Sequence, residues 1–299
     1  MKSLLFAAVV VGAALSGACT DEDALFRWTM INVNYSGQQA DAHILQLADG
    51  RNIMIDTGHY TTADQGLIPW LEQHEITNID TIFITHPHKD HYGGLAAMMA
   101  HHIRLGHVYF NLPDQEVCNR ERPWGCDYRD VVNMRERLVR YGAQVHEALP
   151  GLHFDLAPAV TLDILYAFDG VHTPVGSTDI NDMSLVMMLR VHGKKILFTG
   201  DLNLKIGTWL AGNSEELEAD LLKVPHHGTE TTVPDIFFEK VNPKAGLVPA
   251  PRTLWESNRS RRIRQWFERK KIPVYVNGSA GDVEIAVDQA GLTISTSGQ

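Results

Sequence analysis

Positive charge is in short supply: 26 Lys and Arg stand against 36 Asp and Glu, a formal net charge of −10. No broad basic face for nucleic acid is therefore expected, and long DNA is not favoured as a substrate. Cysteine is scarcer still, with three copies in 299 residues. No cluster of Cys and His completes a four-ligand structural zinc set. Repeats, low-complexity runs and Pro/Ser-rich linkers are missing as well. At 44% apolar the chain is nonetheless an ordinary globular one, long enough for one large α/β domain or two small ones. Histidine is the residue in surplus, at 15 copies.

The N-terminus reads as an export signal over residues 1–18: Lys2, an uncharged apolar run from Leu4 to Leu15, then Ser16-Gly17-Ala18. Cleavage after Ala18 would expose Cys19, the place of a lipid on an exported lipoprotein, although Ser16 stands where such signals prefer Leu. The expected location is periplasmic or extracellular, with membrane contact only through a lipid on Cys19. Export permits disulfides. Cys118 and Cys126, eight residues apart in a polar loop, read as a loop-stapling pair.

Apolar–polar alternation predicts a strand at Trp28–Asn34, Ile79–Thr85 reads as a buried strand, and further strands are expected at Thr161–Tyr166, Ser184–Val191 and Lys195–Thr199. A hairpin of Ala42–Leu47 and Asn52–Ile55 turns at Asp49-Gly50. Helices are expected at Thr61–Glu75, Gly93–His102, Asp130–Tyr141, Ser214–Leu222, Pro234–Lys240 and Arg259–Lys271, with later strands at Ala245–Pro249 and Ile272–Asn277 and a closing hairpin. Residues 111–128 read as an irregular, Cys-bearing insertion. Strands and helices alternate in two blocks, which predicts one α/β domain over residues 25–299, two sheets packed together with helices outside.

The chemistry gathers at Thr85-His86-Pro87-His88-Lys89-Asp90-His91-Tyr92-Gly93-Gly94. Three imidazoles and a carboxylate within six residues, straight after a buried strand, can converge where the loop turns sharply. Imidazole and carboxylate suit Zn²⁺, Fe or Mn.

This segment resembles the His-x-His-x-Asp-His signature of the metallo-β-lactamase superfamily, and other landmarks follow in order along nearly the whole mature chain. The resemblance implies a four-layer αββα sandwich and two Zn²⁺, with Mn or Fe as substitutes. It implies His86, His88, Asp90 and His91 as ligands and Asp201, in Phe198-Thr199-Gly200-Asp201, as the bridging carboxylate. In Val224-Pro225-His226-His227-Gly228, His227 is the implied ligand and His226 the residue beside the substrate, an order that could be reversed. Asp56, in Asp56-Thr57-Gly58, would orient ligands. The third ligand of the first metal is His172 or Asp182, with Asp182 preferred. Tyr35 to Ala42 and Asn181 to Val186 are similar to ComEC-type domains, the metallo-hydrolase part of bacterial DNA-uptake channels. No membrane-spanning run follows the leader, so a channel itself is not expected. Where that subgroup carries a histidine near its end, this chain has Ser257-Asn258-Arg259-Ser260-Arg261-Arg262. The basic run Arg259, Arg261, Arg262, Arg264, Arg269, Lys270 and Lys271 reads as a solvated helix face, with a local phosphate-binding patch as the alternative.

The motif spacing implies a hydrolase in which a hydroxide held between two cations attacks a phosphorus or carbonyl centre, Asp90 positioning it and His226 holding the developing negative charge or protonating the leaving group. A small-molecule or oligomeric phosphoester is the expected substrate, and no protein partner is evident. The alternatives are a lactone, thioester or β-lactam hydrolase on the same scaffold, and a non-catalytic metal-binding module.

Overall fold

The computed structural model describes residues 26–122, 125–169, 179–229 and 231–298. The leader, Cys19 and His172 lie outside them. Apolar alternation builds β1 (Phe26–Met30), and the Asp49-Gly50 turn joins β2 (Ala42–Leu47) to β3 (Asn52–Thr57). The first sheet continues with β4 (Asn78–Phe83), β5 (Arg104–Tyr109) and β6 (Gln144–His146). The second holds β7 (His153–Ala157), β8 (Val160–Tyr166), β9 (Val186–Val191), β10 (Lys194–Phe198), β11 (Leu221–Lys223), β12 (Ala245–Pro251) and β13 (Val274–Val276). A last hairpin, β14 (Val283–Val287) and β15 (Leu292–Thr296), returns to the first sheet beside β1.

The sheet orders are β15-β14-β1-β2-β3-β4-β5-β6 and β13-β12-β11-β10-β9-β8-β7. In each sheet an antiparallel meander passes into parallel strands: β3 to β6 in the first, β10 to β13 in the second. Trp28, Leu45, Ile55, Phe83, Leu189, Phe198 and Leu247 fill the space between the sheets. Helices Leu67–Gln73, Gly94–Ala100 and Tyr128–Tyr141 cover the outside of the first sheet; Leu204–Asn213, Asp235–Val241 and Arg261–Lys270 cover the second. That is the four-layer αββα stack.

Register places the site. Ile55 lies beside Phe83, so Asp56-Thr57 and Thr85-His86 emerge together at the carboxyl ends of β3 and β4. Leu197 lies beside Leu222, so Gly200-Asp201 and Pro225-His226-His227 emerge together from β10 and β11. Two parallel pairs, one per sheet, aim their loops at one point.

Some elements differ from the sequence expectation. The helix expected at Thr61–Glu75 spans only Leu67–Gln73, because Pro69 is tolerated in a first turn and not in a helix interior. Instead of a helix over Ser214–Leu222 there is a helix at Leu204–Asn213, followed by β11. Burial of Ile206, Leu210 and Ala211 outweighs the poor propensity of Gly207, Thr208 and Gly212, while the Glu-rich stretch after it stays open. The insertion is not wholly irregular: Gln115–Arg120 is a helix, capped by the Asp114 carboxylate. β5, β6 and β7 had no clear pattern in the sequence. The expected disulfide joins Cys118 to Cys126.

Candidate metal centre

The loop after β4 turns at Pro87 and enters a single helical turn, Lys89–Tyr92, which swings Asp90 and His91 back toward His86 and His88. His86 Nε2 and His88 Nδ1 face each other at 3.1 Å. The other nitrogen of His86 is tethered to Thr85 Oγ1 (3.1 Å) and Ser184 Oγ (3.3 Å). Beside them His91 Nε2 lies 3.4 Å from Asp201 Oδ2 and 3.9 Å from Asp90 Oδ1. His227 Nε2 lies 3.1 Å from Asp201 Oδ2 and 3.4 Å from Asp90 Oδ2. Asp201 thus stands between the two groups, with His86, His91 and Asp201 on one side and Asp90, His91 and His227 on the other.

Tautomers follow from the remaining nitrogens. His91 Nδ1 donates to Asp56 Oδ2 (2.8 Å), and His227 Nδ1 donates to the Pro249 carbonyl (2.7 Å). The Nε2 atoms of both are buried and have no hydrogen-bond partner. Each Nε2 therefore faces carboxylate oxygens a little over 3 Å away, an arrangement that is favourable only where a positive charge lies between them, a metal ion or the proton of an imidazolium. Four buried or nearly buried carboxylates (Asp41, Asp56, Asp90 and Asp201) meet a single ammonium, Lys223. Two divalent cations would more than offset the three negative charges that remain. The donor set fits them: imidazole and carboxylate, no thiolate. In their absence the site collects protons. Burial alone would lower the pKa of His227, yet Asp201 and Asp41 raise it to about 10. His91 is likewise raised against burial by Asp201, Asp56 and Asp90. Metal loading has to displace those protons, so affinity falls with acidification.

The backbone is forced around this point. Asp56 (φ 57°), His226 (φ 48°) and His227 (φ 52°) are all left-handed, a conformation uncommon for non-glycine residues. At Gly200 (φ 48°) a Cβ would sit 2.5 Å from Ser184 Oγ, the atom that accepts from Asp201 N–H at 2.9 Å. Asp56 also accepts from Thr85 N–H and Thr85 Oγ1–H, both at 2.8 Å, which locks strand end to strand end.

His226 has a different environment. Asn203 Nδ2 donates to Asp179 (2.9 Å), so its Oδ1 faces His226 Nδ1 at 2.7 Å and accepts that N–H. Nε2 is left with a lone pair in a ring that lines a cavity of about 740 Å³, together with Gln39, His88, Asp90, Asp201 and Lys205. Burial lowers the His226 pKa to about 4. Asp182 borders the same cavity, but its Oδ1 accepts from Asn203 N–H at 2.8 Å, and neither it nor His88 is among the described residues whose donor atoms converge. Burial, with Asp179 nearby, raises its pKa to about 7.

Three residues of the site escaped the sequence reading. Lys223 is fully buried, paired with Asp41 and, at 3.3 Å, with Asp201 Oδ1. A charge inside Leu-Leu-Lys-Val was the available signal. Asp41, within the similar stretch Tyr35–Ala42, was not singled out for a role. Glu121 binds His88 Nε2 at 2.8 Å and no pattern marks it. The basic run on the last long helix is mostly engaged. Arg262 bonds Asp235 and two carbonyls, Arg264 bonds the Trp255 and Ser257 carbonyls, Arg269 pairs with Asp235 and Lys270 with Glu239.

Residues 36–103, which include the whole His86–His91 motif, match the sequence profile of the metallo-beta-lactamase superfamily. The chain carries a metallo-beta-lactamase superfamily domain. It is similar to ComE operon protein 3 of Bacillus subtilis, 23% identical over 75% of this chain and 27% of that protein. Competence protein ComA of Neisseria gonorrhoeae is 25% identical over 67% of this chain and 24% of its own length. Endoribonuclease YSH1 of Kluyveromyces lactis is 23% identical over 92% of this chain and 34% of its own length. The two competence relatives support the ComEC-type subgroup of the superfamily. The chain spans about a quarter of the length of these competence relatives.

Proposed function

We propose that the chain is an exported, metal-dependent hydrolase of a phosphodiester or related phosphoester. The observation that carries this reading is the buried cage of Asp90, His91, Asp201 and His227, in which two unpartnered imidazole nitrogens face carboxylate oxygens. Named relatives include endoribonucleases, which favours phosphorus over a carbonyl centre for this chain. In this reading His86 and His88, with Asp201, hold the first cation, and Asp90, His91, His227 and Asp201 hold the second. When bound, such a pair supplies Lewis acidity and brings the pKa of water toward neutrality.

The protein groups divide the remaining work. Asp90 is partly exposed to the cavity, where its carboxylate orients the attacking water. His226 presents Nε2 as an acceptor, held by the Asp179–Asn203 chain, and so takes a proton or orients a hydroxyl; a leaving-group acid would need the opposite protonation state. His226→Ala should lower kcat by about 10²–10⁴-fold with metal content unchanged; loss of metal instead would make His226 a ligand. Residues 1–18 act as the leader, and mass measurement of the mature N-terminus checks the cleavage site.

Bis-p-nitrophenyl phosphate, a thioester, a lactone and nitrocefin, offered to the zinc- or manganese-loaded protein, test the substrate class. The diester should be turned over, turnover should stop with a chelator and return with metal. Hydrolysis of the carbonyl substrates alone would overturn the phosphoester reading, and no turnover of any would overturn the enzyme.

A further inference from the structure

We infer that Glu121 is a positioning residue for the first metal site: presented by the loop that the Cys118–Cys126 disulfide closes, its carboxylate holds the His88 ring so that Nδ1 faces His86 Nε2. The inference rests on the ligand roles proposed above for His86 and His88. Glu121 Oε2 lies 2.8 Å from His88 Nε2, and both side chains are nearly buried, at 12% and 11% exposure. A carboxylate there accepts the Nε2–H and so selects the tautomer whose lone pair is on Nδ1. A ring nitrogen free of such a partner could bind metal through either atom and in either orientation.

The loop is built to deliver that carboxylate. Glu121 stands between the two half-cystines, and its N–H donates to the Cys118 carbonyl at 3.0 Å. Its own carbonyl accepts from Gly125 N–H at 2.9 Å. The turn then folds directly over the imidazole: a Cβ on Gly125 would lie 2.8 Å from His88 Cδ2 and 2.9 Å from Nε2, so only glycine allows the approach. The second oxygen, Oε1, accepts from Ile180 N–H at 3.2 Å. One carboxylate therefore joins the motif loop to the segment that leads through Ser184 into β9. The disulfide, spanning only eight residues, keeps this short loop closed while Glu121 is buried.

Zinc titration against a competing chelator, read per equivalent, together with the absorption spectrum of the cobalt-loaded protein, tests the assignment. Wild type should bind two equivalents. Glu121→Ala should weaken one of them by about 10–100-fold, leave the other unchanged and alter the cobalt bands of the weakened site. Glu121→Gln keeps an acceptor oxygen and should recover a substantial part of that loss. The paired substitution Cys118→Ser with Cys126→Ser should weaken the same equivalent, by an amount no larger than Glu121→Ala. Equal weakening of both equivalents would mean a general structural role and overturn the inference, as would two unchanged equivalents in Glu121→Ala. If the alanine variant does not fold, Glu121→Gln and the cysteine pair carry the same measurement, and unchanged affinity in both overturns it. Wild type that binds no zinc would instead sink the ligand assignment itself.

Discussion

Asp201→Ala is expected to leave a folded protein that holds at most one equivalent of metal and has lost about 10³-fold or more of its turnover. The size follows from position. Asp201 Oδ2 is within 3.4 Å of both His91 Nε2 and His227 Nε2, and the residue belongs to donor groups on both sides of the site. In the proposed two-cation site, removing it would deprive each cation of a ligand at once. The fold should survive, because Lys223 keeps Asp41 and the Gly200 carbonyl (2.8 Å) as partners. His227 and His91, together with Lys223, hold the Asp201 carboxyl far below the usual range against the effect of burial, so the group is ionised wherever the protein works. Metal analysis, steady-state kinetics and a melting curve check the three parts. Undiminished turnover would dismantle the site.

Lys223→Met should be the most destabilising change in the domain outside its apolar core. Lys223 is 1% exposed and faces Asp41, itself fully buried, so its loss leaves that carboxylate only the more distant imidazoles of His227 (3.5 Å) and His91 (3.8 Å) as counter-charge. Breaking a buried pair on one side costs about 3–5 kcal/mol, which for a chain of this size lowers the melting temperature by about 10 °C. The double variant Asp41→Asn with Lys223→Met should recover more than half of that, since the orphaned charge is gone. Denaturant unfolding of the metal-free forms is the measurement. A loss under about 1 kcal/mol would show that the pair is not what balances Asp41.

The His86–His91 loop was legible because its donors are consecutive, and Asp201 and His227 because each follows an apolar strand within a recognisable segment. Cys118 and Cys126 were legible from spacing alone. What escaped depends on long-range placement. Glu121 meets His88 across 33 residues of chain, and Lys223 meets Asp41 across 182, so neither contact leaves a periodic trace. The helix at Leu204–Asn213 was hidden by its glycines, which local propensity penalises and tertiary burial tolerates. The hydrogen bonding of His226 also turned on distant residues. The Asp179–Asn203 contact orients the amide oxygen that faces its Nδ1.

Ownership of the cage is divided: the first sheet contributes Asp41, Asp56 and the 86–91 loop, the second contributes Ser184, Asp201, Lys223 and His227. A fragment ending after β6 would keep Asp41, Asp56 and the 86–91 loop but lose Asp201 and His227, and with them the donor groups that span the two sheets. Cations held there would act as rivets across the seam between the two layers, and chelation should then loosen the molecule along that seam first.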